Sequence, residues 1–345
     1  MIGSMPSSLE KNGLPRLRAL PGTEHALPAW DPFPTAPRAC PFCGGHGGDV
    51  LVRPDGLPVA QCPGCRCCHV SLQLTAALLD KYYAGYWSHA QPRLLTEELA
   101  RYMLSSAPAR AKADHTLRKI GALAGGWRGA RVLDVGCGFG EKTSMMRALG
   151  AAVRGIDVAA DAVAFVSQRL GIEASRTTLE EDPGQPGSCD VVTMFEFIEH
   201  PLDPLAVIGA AVRRLRPGGL LAFVTPNGTA GERHLNASEP WAGFRAEMEH
   251  QQYLHVDTVE FIALQFGCRI LHLEQYGYRM PEFIEPSATP TSRAPLTPLR
   301  RFAKRVPGVR STVYAFRTAQ NRRRAASLPP REGGDYHLFA VLQVR

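Results

Sequence analysis

No apolar run in this 345-residue chain approaches the roughly twenty residues that a membrane-spanning helix needs. The first residues also lack the apolar core of a secretion signal. They are rich in proline and small side chains, so 1–38 reads as a flexible lead and the chain as cytoplasmic. Cysteine is scarce outside one window: six of nine fall between Cys40 and Cys68, and Cys137, Cys189 and Cys268 stand singly in strand-like segments. Such clustering argues against a disulfide framework and for metal ligation. Acidic residues are missing altogether from 293–331, which holds eleven Lys or Arg. The formal charge of +7 therefore belongs to one segment, and the rest of the chain is mildly acidic. An acidic partner, such as a carrier protein, a phosphorylated substrate, an anionic membrane surface or RNA, would have to meet the chain there. A solvated insertion accounts for the same residues.

What is present suits one α/β domain with a small extra unit. Four parts follow along the chain: the lead, a cysteine module at 39–70, a helical cap or linker at 71–126, and a main domain at 127–345 interrupted by the basic insertion at about 285–333. The cap carries the aromatic cluster Tyr82, Tyr83, Tyr86 and Trp87. In the main domain strands are predicted at 131–135, 153–157, 172–174, 191–195, 220–225, 269–275 and 337–344. Helices are predicted at 141–149, 160–170, 205–215 and 258–266. Apolar strands alternating with helices predict a Rossmann-like, mostly parallel sheet covered by helices on both faces. Ligands bind such sheets beyond the carboxyl ends of the strands.

Cys40-Pro-Phe-Cys43 and Cys62-Pro-Gly-Cys65 are C-x₂-C pairs separated by eighteen residues. Each reads as a knuckle, and two knuckles place four thiolates in tetrahedral reach of one zinc ion, as a zinc ribbon requires. A unit this small cannot fold on its apolar core alone, so zinc would be structural. Cys67, Cys68 and His69 are spare donors.

The first strand of the main domain ends in Val132-Leu-Asp-Val-Gly-Cys-Gly-Phe-Gly140. Gly136, Gly138 and Gly140 let the backbone turn sharply and approach a ligand, and the following helix points its N-terminus at it. Asp157 ends the second strand and can accept the hydroxyls of a ribose. A dinucleotide fingerprint would need glycine at its sixth position, where Glu141 stands. The Asp134 carboxylate before the loop suits a cationic ligand. S-adenosylmethionine (SAM), with an ammonium and a sulfonium and no phosphate, meets these conditions.

Residues 131–227 resemble the class I SAM-dependent methyltransferases, and more narrowly the branch with the ubiquinone-biosynthesis O-methyltransferases. VLDVGCGFG at 132–140, GID at 155–157, CDVVTMFEFIEHPLDP at 189–204 and LRPGGLLAFVTPN at 215–227 carry the likeness. The resemblance implies that Gly136, Cys137, Gly138 and Gly140 line the methionine part of SAM, with Asp134 nearby. It puts Asp157 on the ribose and Val158, Thr178 and Leu179 around the adenine, with Phe195 and Glu196 along the cofactor. Arg216-Pro-Gly-Gly219 would turn the chain into the fifth strand.

Glu196, Glu199 and His200 follow the fourth strand. Methyl transfer from a sulfonium needs an acceptor that is positioned and deprotonated, and a near-neutral histidine suits that work. His200 is the first candidate base, with Glu199 beside it. His250, in the loop with Trp241, Phe244, Glu249 and Tyr253, is the second. By resemblance, Glu196, Glu199 and His200 could instead hold a divalent metal against the acceptor oxygen. A third reading has Glu199 and His200 merely capping the turn.

The leading expectation is methyl transfer from SAM to a hydroxyl or carboxyl oxygen of a small molecule of secondary-metabolite, glycan or quinone type. Alternatives are an RNA methyltransferase that uses the zinc module and basic segment, a C- or N-methyltransferase, and a non-enzymatic zinc-ribbon adaptor.

Overall fold

The computed structural model describes residues 30–84, 86–87, 95–235, 241, 243–246, 249–277 and 335–345. The chain divides into two compact units, 1–276 with 336–345, and 277–335. Of the second unit only Gly277 and Asp335 are described, so the basic insertion lies outside the described residues, as does the lead up to residue 29.

The first unit begins with a short antiparallel run: β1 (Asp49–Val52), β2 (Pro58–Gln61) and β3 (Cys68–Val70). Helices α1 (Ala76–Tyr83), α2 (Glu97–Ala113) and α3 (His115–Ala124) follow. The main sheet is then built from β4 (Arg131–Val135), β5 (Ala152–Asp157), β6 (Ala174–Arg176), β7 (Cys189–Phe195) and β8 (Leu215–Pro226), alternating with α4 (Glu141–Ala148), α5 (Ala160–Arg169) and α6 (Pro204–Arg214). The short helices α7 (Gly228–Arg233) and α8 (Gly243–Ala246), strand β9 (Gln252–Tyr253), helix α9 (Val256–Gln265), and strands β10 (Arg269–Tyr276) and β11 (His337–Gln343) complete it.

Seven strands form one sheet in the order β10-β11-β8-β7-β4-β5-β6. The five from β8 to β6 are parallel, and β11 runs antiparallel to both its neighbours. The predicted Rossmann-like α/β class is therefore the observed one. The order reverses between β4 and β7, which opens the crevice where such sheets bind ligands. Leu133 and Val135, Val192 and Met194, Leu221 and Phe223 are buried in one core cluster. Burying each such side chain is worth about 1.5–3 kcal/mol.

Local signals place the helices. The Asp114 side chain accepts the Leu117 N–H at 2.9 Å to start α3, and Gly125 ends it at φ +79°. Asp203 caps α6 with proline in the first turn, and a His255–Thr258 capping box starts α9. Two expectations shift. Strand β6 lies at 174–176 rather than 172–174, because Ile172 is buried among Phe165, Val166 and Leu170 instead of entering the ladder. Strand β8 starts at Leu215 rather than 220. Cys189 pairs with Leu215 and Val191 with Leu220, so 216–219 bulges out of register, with Gly218 at φ +77°.

The cysteine module is not a separate lobe. A second sheet has the order β1-β2-β3-β9, and its last strand follows β8 in the chain. Cys68 pairs with Tyr253 and His69 with Gln252. No described helix is long and apolar enough to cross a membrane.

Candidate active site and four-cysteine cluster

The two knuckles are near copies of each other. Gly44 N donates to Cys40 O at 2.9 Å, and Arg66 N to Cys62 O at 3.0 Å. Cys40 N donates to Gly45 O and Cys62 N to Cys67 O, both at 2.9 Å. Gly44 and Arg66 occupy the same left-handed position, at φ +71° and +60°. The thiol pairs Cys40–Cys65 and Cys43–Cys62 lie 3.5 and 3.2 Å apart, and all four sulfurs fall within 4.8 Å of one another. A tetrahedron of Zn–S bonds of about 2.3 Å has sulfur–sulfur edges of about 3.8 Å, so the cluster is consistent with a zinc site. A Cβ on Gly45 would sit 3.0 Å from Cys62 Sγ and 3.4 Å from Cys43 Sγ, so side chains are kept out of the sulfur cradle. Hydrogen bonds from Cys65 and Cys67 hold the Cys40 thiol well below the usual range. Cys67 is buried beside the four. Cys68 and His69 serve β3 instead.

At the carboxyl end of β4, Gly136, Gly138 and Gly140 all have left-handed backbones, at φ +68°, +50° and +81°. Asp157 ends β5. Its carboxylate accepts Gly138 N–H at 2.9 Å and Ala159 N–H at 2.8 Å, so it faces the loop, and burial raises its pKa. Val158 is 45% exposed at the rim, with Thr178 part-buried. Three expected contacts are placed differently. Asp134 is buried and accepts the Thr143 hydroxyl at 2.6 Å and the Thr193 hydroxyl at 2.7 Å. It ties β4 to α4 and β7 from inside rather than presenting charge to the cleft, and burial raises its pKa to about 6. The Cys137 and Leu179 side chains are buried in the apolar cores, which leaves only their main chains for a ligand. Phe195 is half-buried, with Lys142 Nζ 5.1 Å from its ring centroid.

The turn after β7 divides the Glu-x-x-Glu-His residues. Glu196 has φ +49°, and its carboxylate lies 3.4 Å from His337 Nε2. Glu199 and His200 instead converge with His250. Glu199 Oε1 is 3.9 Å from His200 Nε2 and 3.7 Å from His250 Nε2, and the two imidazoles stand 4.8 Å apart. Glu199 Oε2 accepts the Thr225 hydroxyl at 2.8 Å. The donor atoms of Glu199, His200 and His250 lie close enough to hold a cation, a set in which His250 stands where the resemblance implied Glu196. Burial lowers the pKa of His200, against the opposing charge of Glu249. Burial lowers that of His250 further, helped by His200 and Arg53. Both rings are thus held neutral, and each takes up a proton less readily than a free imidazole.

Tyr83, at the end of α1, reaches this cluster. Its hydroxyl is 2.9 Å from His200 Nδ1, and burial raises the phenol well above its usual range. The rings continue from Tyr83 to Tyr86 (5.9 Å), Trp87 (5.4 Å) and Phe139 (5.3 Å). Trp87 lies against Gly138, where a Cβ would come within 2.9 Å of it, and Phe197 lies against Gly136 in the same way. An aromatic path therefore connects the histidines to the glycine loop. Sequence reasoning noted the aromatic cluster but not that Tyr83 meets His200. It missed the buried arginines Arg38 and Arg53 entirely, because Arg53-Pro-Asp-Gly56 reads as a solvated turn.

The Methyltransferase domain family matches residues 86–273, more than half of the chain. The ubiquinone biosynthesis O-methyltransferase of Xanthomonas campestris pv. campestris (strain B100) is 46% identical over 108 residues, 29% of this chain and 45% of that protein. Its counterpart in Albidiferax ferrireducens is 42% identical over 107 residues, 29% of this chain and 42% of that protein. The chain thus spans less than half the length of these curated relatives. Among solved structures, a SAM-dependent methyltransferase from Mesorhizobium loti aligns over 68% of this chain and 99% of its own, at 16% identity and TM-score 0.44. One from Archaeoglobus fulgidus aligns over 70% and 94%, at 18% and 0.44. With the glycine loop and Asp157 at the sheet's carboxyl end, the family match makes the chain a member of the methyltransferase-domain family.

Proposed function

We propose that the chain transfers the methyl group of SAM to an oxygen of a small-molecule acceptor, with Tyr83, His200 and Glu199 handling the acceptor's proton. The observation that carries this reading is the 2.9 Å contact between Tyr83 Oη and His200 Nδ1, joined to the glycine loop by a row of aromatic rings.

Gly136, Gly138 and Gly140 would receive the methionine part of SAM through main-chain groups, Asp157 the ribose, and Val158 and Thr178 the adenine edge. SAM supplies an activated methyl group on a sulfonium. The chain itself must align the acceptor and remove its proton. The donor would give up its methyl carbon to the acceptor oxygen and leave as a neutral thioether that keeps the C–S electron pair, while the acceptor's O–H bond breaks. Tyr83 Oη accepts that proton and passes its own to His200 Nδ1. The imidazolium so formed faces Glu199, whose buried carboxylate offsets the new charge. His250, on the other side of Glu199, is the second group able to accept a proton. The Trp87 ring over Gly138 would help to keep water from the reacting atoms.

We further propose that 39–70 forms the structural zinc ribbon, with Cys40, Cys43, Cys62 and Cys65 as the ligands. Calorimetry with SAM and S-adenosylhomocysteine tests the cofactor site. Methyl-labelled SAM, offered with a panel of phenols, carboxylic acids and sugars and separately with total RNA, tests the acceptor class. Heat from neither ligand would refute the reading, and label found only in RNA would move the acceptor to nucleic acid.

A further inference from the structure

Two arginines, one in the cysteine module and one just before it, are buried, and both serve the histidine-bearing segments. Arg38 stands two residues before Cys40. Its guanidinium donates to Leu202 O at 2.8 Å, Gln251 O at 3.1 Å and Gln252 Oε1 at 3.0 Å, and burial lowers its pKa to about 10. Leu202 lies in the turn that carries His200, and Gln251 follows His250. Arg53 sits in the turn between β1 and β2, between the two knuckles, and is 2% exposed. Its Nη2 and Nε donate to Asp55 at 2.6 and 3.2 Å. Its Nη1 donates to the His250 carbonyl and, at 3.2 Å, to Tyr253 Oη. Asp55 in turn accepts the Trp30 indole N–H at 3.2 Å.

A buried ion pair contributes little net stability, because desolvation offsets its attraction, and apolar groups of similar size often serve as well. What a guanidinium adds is a rigid planar fork. Here one edge of the fork is fixed by Asp55 and the other is spent on the main chain of a histidine 197 residues away. The hairpin that carries Arg53 leaves one knuckle at Cys43 and re-enters the other at Cys62, so the sulfur cluster closes its base.

We propose that Arg53 is a positioning residue for His250, and that closure of the four-cysteine cluster by metal sets the acceptor side of the cleft through Arg53, with Arg38 doing the same for the His200 turn. The hydrogen bonds given above for the two arginines run to the histidine-bearing segments and to Asp55, while Asp157 is the residue that holds the glycine loop. This inference rests on the function proposed above for its catalytic meaning, but not for its geometry.

The test uses the full zinc-loaded chain with ¹⁵N-labelled histidine. Imidazole resonances of His250, assigned through His250→Gln, are compared among wild type, Arg53→Met and Arg53→Lys, alongside zinc content and S-adenosylhomocysteine affinity. In Arg53→Met the His250 signals are expected to shift or broaden, with one zinc per chain retained and affinity within about twofold of wild type. Arg53→Lys, which keeps a cationic donor for the carbonyl, should return the signals toward their wild-type positions. Unchanged His250 signals in a folded, zinc-loaded Arg53→Met chain overturn the proposal. If that variant does not fold, chelation of zinc from the wild type decides by hydrogen exchange. Amides at 199–202 and 250–253 should then exchange at least about tenfold faster while 132–140 stays unchanged. A rise confined to 38–70, or one shared by 132–140, refutes the coupling. Failure of the wild type to bind S-adenosylhomocysteine would defeat the function reading and leave the His250 comparison standing.

Discussion

The Tyr83 hydroxyl lies 2.9 Å from Nδ1 of His200, across 117 residues of sequence. One comes from a helix before the main sheet and the other from the turn after its central strand, so the acceptor side is assembled from two regions of the chain. Tyr83→Phe is expected to lower the rate of methyl transfer by about tenfold to a hundredfold, and His200→Ala by about a hundredfold or more. S-adenosylhomocysteine affinity should stay within about twofold in both. Label transfer measured beside calorimetry checks this, and unchanged turnover in His200→Ala would remove the base assignment.

Asp157 accepts the Gly138 and Ala159 N–H groups and faces the glycine loop. Asp157→Ala should weaken S-adenosylhomocysteine binding by at least about tenfold, or roughly 1.4 kcal/mol. Zinc content should not change, because the sulfur cluster belongs to another sheet. Calorimetry and elemental analysis on the same sample distinguish a local effect from a folding defect.

Asp134 supplies the pH dependence. Its folded-state pKa is raised to about 6 from 3.8 by burial. The folded chain therefore holds this proton more tightly than the unfolded one. Its contribution to stability is full below about pH 4 and is lost as pH rises through about 6. Asp134→Asn cannot ionise, so its stability relative to wild type should climb by about 2 kcal/mol between pH 4 and pH 7. Denaturant melts at both pH values provide the check, and a constant difference would contradict the assignment.

Two glycines of the cysteine module should respond differently to alanine. Gly44 has φ +71° with open space where a Cβ would go, so Gly44→Ala should cost only the left-handed strain of about 1–2 kcal/mol. At Gly47 a Cβ would fall 1.8 Å from the Gln61 carbonyl oxygen, on the backbone of β2. Gly47→Ala should therefore force the hairpin apart and lower zinc retention under chelator challenge, whereas Gly44→Ala should keep it.

Features that are local in sequence were legible from residues alone. The two C-x₂-C pairs meet because each knuckle is a closed turn, and the glycine loop joins Asp157 because parallel neighbours β4 and β5 share their carboxyl ends. The alternation of apolar strands and helices likewise leads to the observed sheet. What could not be read depends on distant partners. Asp134 looks like a carboxylate offered to a cation, until Thr143 and Thr193 arrive from α4 and β7 to bury it. His250 looks like a loop residue, because the groups that hold it lie in the cysteine module. Glu196 falls in motif with Glu199 and His200, but its left-handed backbone turns it toward His337.

Because β9 supplies the outer edge of the small sheet, the cysteine module can complete its hydrogen-bonded ladder only once Tyr253 has left the ribosome. The knuckles emerge early, yet their sheet waits for a strand made most of a domain later. Completion of this edge therefore waits on a strand made after the whole parallel sheet, and a nascent chain stalled before Gln252 would carry the cysteine hairpin with its β3 flank bare.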